Sequence, residues 1–227
     1  FHQGLILGED GNKMSKSVGN VVSPDLVINA YGADSLRLFE MFLGPLEAVK
    51  PWSEKGIEGV HRFLKKVFRE ANSTEKHLTT EEKDPDTLRL LHETILKVTE
   101  SIEDLRFNVA ISQMMILANH LQKVENFSVE TIKVLLQLLA PLAPHLSEEL
   151  WEKVGGTPSI VNQPWPQARK ELLVSDEITI VFQVNGKLRG EAKFSKETTK
   201  EQIIATAKEH EKVLAFTSGK EIVKEIY

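Results

Sequence analysis

The sequence predicts a mainly α fold, an antiparallel helical bundle followed by a small α+β domain of order β-β-α-β. Two observations carry this prediction. Between residues 53 and 154, apolar side chains recur at helical spacing, and short polar or Gly/Pro breaks separate the stretches. Beyond residue 176, apolar and polar residues alternate, as in a hairpin. Successive amphipathic helices with short links favour antiparallel packing.

Composition limits the possible partners. The chain has 227 residues, enough for one large or two modest domains, and a formal net charge of −5. This charge argues against nonspecific coating of nucleic acid, so RNA binding would need local basic patches.

The absence of cysteine excludes disulfides and thiolate metal sites and is compatible with a cytoplasmic protein. No membrane span or signal peptide is visible. Because residue 1 is not Met, we expect a fragment, a processed subunit or a chain lacking its start.

Residues 1–50 are predicted to carry a lysine loop on the end of a short strand at residues 5–7. Lys13 and Lys16 lie between glycines and beside the hydroxyls of Ser15 and Ser17. Flexible backbone, point charges and small hydrogen-bond donors suit phosphate binding. For an unspecified loop with two lysines, a solvated turn would be the better interpretation. Two short helices are predicted to follow, from Ser23 to Gly32 and over 33–43.

Residues 51–156 are predicted to form the bundle. Its first helix runs from Ser53 to Asn72, with apolar residues on one face and cations without an intervening acid on the other: Arg62, Lys65, Lys66 and Arg69. Such a face is more often plain solvated surface, but in an acidic protein it is a candidate phosphate contact. After a polar connector, further helices are predicted over 85–102, 109–124, 129–141 and 144–154.

Residues 157–176 are predicted to be a linker, because they contain several prolines and no periodicity. Residues 177–227 then form the small domain. Asn185-Gly186 is a strong hairpin signal. Leu188, like Phe182 and Phe194, is predicted to face the core, whereas three cations of the second strand face away from it: Lys187, Arg189 and Lys193. A capping box opens a helix at Thr199, and 221–227 are predicted to be a closing strand.

Several motifs resemble the carboxy-terminal part of the class I aminoacyl-tRNA synthetases, and most closely their leucyl branch. Residues 13–17 match the KMSKS signature letter for letter, and the resemblance continues through 19–22 and 31–37. Residues 51–64 resemble the leucyl branch, 139–151 the anticodon-domain helix of the leucine, isoleucine and valine group, and 183–190 the leucyl carboxy-terminal module. The resemblance covers essentially the whole chain.

The resemblance implies an ATP-dependent ligase that activates leucine and transfers it to tRNA(Leu). Lys16 would carry most of the charge stabilisation of the leaving pyrophosphate, with Lys13 assisting. Residues 13–17, including Met14, would form the ATP-binding loop, and Mg²⁺ is expected with ATP but without a metal site in this chain. Residues 51–156 would be an anticodon-binding bundle, and tRNA contacts are expected at Arg62, Lys65, Lys66, Arg69, Lys187 and Arg189.

Two features depart from the family pattern. Val18 stands where a further basic residue is frequent, so the loop carries one charge less. The HIGH motif of the nucleotide-binding half is absent. The chain alone is therefore expected not to form the adenylate, and to need an amino-terminal catalytic half or an alpha subunit as partner. Alternatives are an isoleucyl or valyl enzyme fragment and a noncatalytic tRNA-binding subunit.

Overall fold

The computed structural model describes residues 2–77, 79–173, 177–219, 222–224 and 226. It divides into two compact units, one up to Leu173 and one beyond it. None of the helices in these described segments is long and apolar enough to cross a membrane.

The first unit begins with a short parallel pairing between β1 (Ile6–Leu7) and β2 (Lys50–Pro51). Between these strands lie the lysine loop and the helices α1 (Pro24–Tyr31) and α2 (Ala33–Phe42). The predicted strand and both helices are confirmed. The sequence did not reveal β2, because a strand this short, ending in proline, has no periodicity of its own.

The bundle contains α3 (Glu54–Asn72), α4 (Pro85–Glu103), α5 (Phe107–Lys123), α6 (Val129–Leu139) and α7 (Pro144–Lys153). Three of these helices begin as predicted, because the side chains of Ser53, Asp84 and Ser128 each accept a hydrogen bond from a first-turn backbone N–H. The apolar stripes meet in one core that includes the fully buried Ile57 and Leu135.

Helix α7 receives its cap from a distant residue. Ala143, which precedes the helix, has no side-chain oxygen to offer the free N–H groups of the first turn. The carboxylate of Asp34, in α2, accepts from the Leu146 N–H at 2.7 Å and contacts His145 Nδ1 at 2.8 Å. Asp34 is buried, whereas the His145 side chain is exposed at the helix start. The contact fastens α2 to α7.

Most of the segment predicted as a linker packs against the bundle. Ile160 is buried, Trp165 Nε1 donates to Thr99 Oγ1 at 2.8 Å, and the Arg169 backbone N–H donates to His92 Nδ1 at 3.2 Å. Burial, with the nearby Arg169 charge, lowers the pKa of His92. The described part of the segment therefore extends the first unit to Leu173; positions 174–176 lie outside the described residues.

The second unit contains the predicted hairpin, β3 (Glu177–Val184) and antiparallel β4 (Lys187–Ser195). Asn185 and Gly186 both have positive φ, as a tight two-residue turn requires. Helix α8 (Lys200–Glu209) has the predicted capping box. An unpredicted helix, α9 (Glu211–Thr217), follows. The predicted closing strand includes positions 221, 225 and 227, which lie outside the described residues, and 222–224 have no regular structure.

A β-bulge in β4 makes the side chains near the turn face differently from the prediction. Phe182 pairs with Gly190 but Gln183 pairs with Leu188, so Arg189 is an extra residue in β4. One inserted residue reverses the face that the side chains on its turn side occupy, which here are those of Lys187 and Leu188. Leu188 is therefore 62% exposed, and its predicted core position was wrong. The Arg189 guanidinium lies over the Phe216 ring in α9, 3.7 Å from its centroid, so the prediction that Arg189 simply faces outward was also wrong.

Candidate functional site

The lysine loop lies between β1 and α1 and contains a tight turn over residues 15–19. The Gly19 N–H donates to the Ser15 carbonyl at 3.1 Å, and the Val18 N–H donates to Ser15 Oγ at 3.2 Å. The hydroxyls of Ser15 and Ser17 lie 2.9 Å apart. Gly19 has a φ of 75°, which glycine adopts at little cost. Both serines therefore shape the turn that carries Lys16.

The cations of this loop are not neutralised by its own acids. Lys13 and Lys16 are exposed, and no ion pair involves either within the described part of the chain. Glu9 accepts a hydrogen bond from the backbone N–H of Glu54 at 3.1 Å, while Met14 packs against the core. The arrangement presents two positive charges on an anchored loop, which suits a polyphosphate.

Asp10 and Asn20 close the loop at its base, and the sequence interpretation missed their roles. Asn20 Oδ1 accepts from the Ser15 N–H at 2.9 Å, and Asn20 Nδ2 lies 3.2 Å from each Asp10 carboxylate oxygen. The Asn12 N–H, which donates to Asp10 at 3.0 Å, is the main cause of the lowered pKa of Asp10. The two residues are ten positions apart, so local sequence signals do not indicate that their side chains meet.

The predicted basic residues of α3 lie together along a groove of about 420 Å³ between α3 and α5. The α3 side is lined by Gly59, Arg62, Phe63, Lys65, Lys66 and Arg69, and the α5 side by Met115, Asn119 and Gln122. The amides of Asn119 and Gln122 add hydrogen-bonding groups that sequence interpretation missed, because only the packing of α5 on α3 places them there. Cations and amides along a groove can hold a phosphate backbone.

The charges in this groove are not equivalent. Arg69 pairs with Glu70 at 3.0 Å, and Glu70, 2% exposed, also pairs with Lys76 at 3.1 Å. No acid lies between Arg62 and Arg69, as the sequence indicated, but the buried residue that follows them, Glu70, offsets the charge of Arg69. Lys66 Nζ contacts Asn119 Oδ1. Arg62 and Lys65 are exposed and form no ion pair with any described residue, so they keep their full charge for a ligand.

Lys187 and Arg189 lie in the second unit. Lys187 is exposed at the hairpin turn. Arg189 stacks on Phe216, and its Nε is buried without a hydrogen-bond partner in the described structure. Of the two, Lys187 is the more accessible cation. Among the described residues, no cluster of His, Asp or Glu side chains could hold a metal ion.

Two family descriptions match the chain. Residues 84–204 match the anticodon-binding domain of tRNA ligase, and residues 1–50 match the class I tRNA synthetases described as I, L, M and V. The first match covers more than half of the chain and includes α4 to α7, which form most of the bundle. The second contains the whole lysine loop.

The chain is also similar to individual proteins, over its full length in three of the four comparisons that follow. It is 52% identical to a leucine–tRNA ligase of Chlorobaculum tepidum and 51% identical to that of Chlorobaculum parvum, in each case spanning 28% of the relative's length. The chain is also similar to the protein in a solved ternary complex of Agrobacterium radiobacter K84 agnB2 LeuRS, tRNA and LeuAMS. The match covers all of this chain and 32% of the solved chain, with 28% identity and a TM-score of 0.73. A methionyl-tRNA synthetase from Mycobacterium tuberculosis shares the fold over 66% of the chain and 37% of its own, with 18% identity and a TM-score of 0.54.

Proposed function

The chain belongs to the family of anticodon-binding domains of tRNA ligases, and on that premise we propose that it is the loop-bearing and tRNA-binding part of a leucine–tRNA ligase. One observation carries the proposal. A single chain joins a KMSKS loop with two unneutralised lysines to an anticodon-binding bundle, and its whole length is about half identical to leucine–tRNA ligases.

The proposed reaction has two steps. The leucine carboxylate attacks the α-phosphorus of ATP and displaces pyrophosphate, and a hydroxyl of the terminal tRNA ribose then displaces AMP from the leucyl carbonyl. In the first step, negative charge grows on the departing pyrophosphate. Lys16, assisted by Lys13, stabilises that charge, and the serines of residues 13–17 hold the turn that presents it. Cations on a preformed loop stabilise the transition state more than they stabilise bound ATP.

The remaining parts of the proposal concern domains and partners. Residues 1–50 carry the loop, 51–156 bind the anticodon arm, 157–176 lead from the bundle to the second unit, with 157–173 as part of the first unit, and 177–227 contact tRNA through Lys187 and Arg189. ATP with Mg²⁺, and leucine, bind to an amino-terminal catalytic half or an alpha subunit that completes the site. A role in translation gives the protein a cytoplasmic location. The family matches, the ligase relatives and the placement of the cations support these assignments.

Leucine-dependent exchange of pyrophosphate into ATP tests the proposed activity. The full-length protein that contains this chain is expected to catalyse the exchange with leucine and much more slowly with isoleucine, valine or methionine. The chain alone is expected to be inactive, because it supplies the lysine loop but not the HIGH motif, which belongs to the other half of the ATP site. Exchange by the purified chain alone, or exchange with another amino acid in preference to leucine, would contradict the proposal.

The groove between α3 and α5 is expected to bind tRNA phosphates. In the full-length protein, Arg62→Ala/Lys65→Ala should weaken tRNA(Leu) binding and reduce the slope of log K against log salt concentration by about one per lost contact. Filter binding at several salt concentrations measures this slope. A double substitution of cations that have acidic partners on α4, Arg89→Ala/Lys97→Ala, is the matched control and should leave the slope unchanged. An unchanged slope in the Arg62/Lys65 variant would remove the groove from the tRNA interface.

A further inference from the structure

We propose that Asn20 is a positioning residue that, together with Asp10, clamps the lysine loop in the conformation that presents Lys13 and Lys16. This inference rests on the proposed function. Neither residue belongs to the five-residue signature, and neither is proposed to touch ATP. The pair acts on the two lysines through the backbone between them.

The Asn20 side chain bonds to loop backbone on both sides of Met14. Its Oδ1 accepts from the Ser15 N–H at 2.9 Å, and its Nδ2 lies 3.4 Å from the Lys13 carbonyl oxygen. The same Nδ2 donates to the Asp10 carboxylate. One amide group therefore connects the start of the loop to the backbone of Lys13 and to the residue before Lys16. Rotation of Asn20 away from this position would release both lysine-bearing segments.

Asp10 holds the amide of Asn20 in its orientation. Both oxygens of its carboxylate lie 3.2 Å from Asn20 Nδ2, and Oδ1 also accepts a hydrogen bond from the Asn12 N–H. Because a carboxylate only accepts, the Nδ2 side of the amide must face Asp10, and Oδ1 is then left to accept from Ser15. The clamp is thus polar and directional, which makes it testable by exchanging the two side chains.

The backbone leaves room for this pair at Gly8. A Cβ at Gly8 would lie 2.7 Å from Asp10 Oδ1 and 2.9 Å from Asn20 Nδ2, closer than real Cβ contacts. Gly8 is buried against the pair and hydrogen-bonds through its N–H to the Asn12 carbonyl at 2.9 Å. A side chain at position 8 would therefore displace the two groups of the clamp.

An exposed loop binds its ligand at a lower entropy cost when its backbone is fixed beforehand. Each lysine has a long side chain, and fixing backbone and side chain together costs conformational entropy at the moment of binding. A loop fixed beforehand avoids the backbone part of that cost, so the lysines can stabilise developing charge without reorganising. Loss of the clamp should therefore reduce the rate of the chemical step and leave the binding of leucine unaffected.

Asn20→Asp in the full-length protein tests the clamp. The new carboxylate at position 20 can still accept from Ser15, but it faces Asp10 with no donor between them. We expect kcat for leucine-dependent pyrophosphate exchange to fall by about ten-fold or more, with the KM for leucine unchanged. Gly8→Ala, which acts on the same pair from the other side, should lower kcat in the same direction. Val21→Ala, an exposed neighbour of Asn20, is the matched control and should leave the rate near wild type.

Reciprocal exchange gives the decisive comparison. In Asp10→Asn/Asn20→Asp, the amide at position 10 donates to the carboxylate at position 20, which still accepts from Ser15, so most of the bonds return with reversed polarity. This variant should recover most of the exchange rate lost in Asn20→Asp. Loss of rate without recovery, or no loss in Asn20→Asp, would overturn the clamp.

Failure of the clamp can be distinguished from failure of the proposed function. Wild-type protein without leucine-dependent exchange would refute the function. Robust wild-type exchange combined with an unaffected Asn20→Asp variant would refute the clamp alone. Trypsin cleavage after Lys13 and Lys16 of the chain gives a readout without catalysis: Asn20→Asp should be cut faster there, and the reciprocal variant should return toward the wild-type rate. Equal cleavage of all three proteins would also count against the clamp.

Discussion

Replacing Lys16 by alanine in the full-length protein is expected to lower kcat for leucine-dependent pyrophosphate exchange by roughly 100-fold to 1,000-fold. Lys16 is exposed, unpaired with any described acid and held in a turn fixed by Ser15. Its charge is therefore directed to a ligand rather than to the protein. Because we propose that this charge acts mainly on the leaving pyrophosphate, kcat should fall much more than the KM for ATP rises.

Three further measurements separate a specific role of the Lys16 charge from a general effect of losing a lysine. Lys83→Ala, which removes an exposed lysine from the connector before α4, should leave the exchange rate unchanged. tRNA binding by Lys16→Ala should also be unchanged, because the groove of α3 and α5 is intact. Lys16→Arg keeps the charge but changes its geometry, and should retain part of the rate. A rise in the KM for ATP with an unchanged kcat would show that Lys16 serves ground-state binding, and the proposed role would then be wrong.

The helices could be predicted because their signals are local. Three helix starts are indicated in the sequence by capping residues, and each of these side chains forms the expected cap: Ser53, Asp84 and Ser128. The capping box at Thr199 and the turn at Asn185-Gly186 are local in the same sense. The basic residues of α3 could be assigned to one face for the same reason, because a helical period fixes the angle between them.

The features that sequence interpretation missed depend on contacts between distant residues. Asn119 and Gln122 join the groove only because α5 packs on α3. Asp34 caps α7 from another helix, and Trp165 fastens a proline-rich segment that has no periodicity. The bulge at Arg189 changes the face of Leu188 by one inserted residue, which alternation alone cannot reveal. In the lysine loop, the missed partner of Asp10 lies ten residues away.

Phe39→Ala is expected to cost about 3 to 5 kcal/mol in the free energy of unfolding of the first unit, measured by denaturant titration. Phe39 is 1% exposed and meets Trp52 edge to face, with ring centroids 5.1 Å apart. Its ring lies directly over the start of α3, because a Cβ at Gly56 would be 2.5 Å from Phe39 Cε2. Removal of the ring leaves a cavity between α2 and α3 that helix backbones cannot readily close. Phe68→Ala removes a ring that is 45% exposed and should cost under about 1 kcal/mol.

The effect of Gly56→Ala on the free energy of unfolding should change sign with the residue at position 39. In the wild-type background, the added Cβ overlaps the Phe39 ring, and the overpacking should destabilise the unit by about 1 to 3 kcal/mol. In the Phe39→Ala background the space is empty, so the same substitution should be neutral, or stabilising by up to about 1 kcal/mol through helix propensity. The two substitutions would then show strong coupling in a double-mutant cycle, as expected for groups in direct contact. Additive effects would mean that Phe39 does not pack on the start of α3, and that the helices behind the lysine loop are held to the bundle by other contacts.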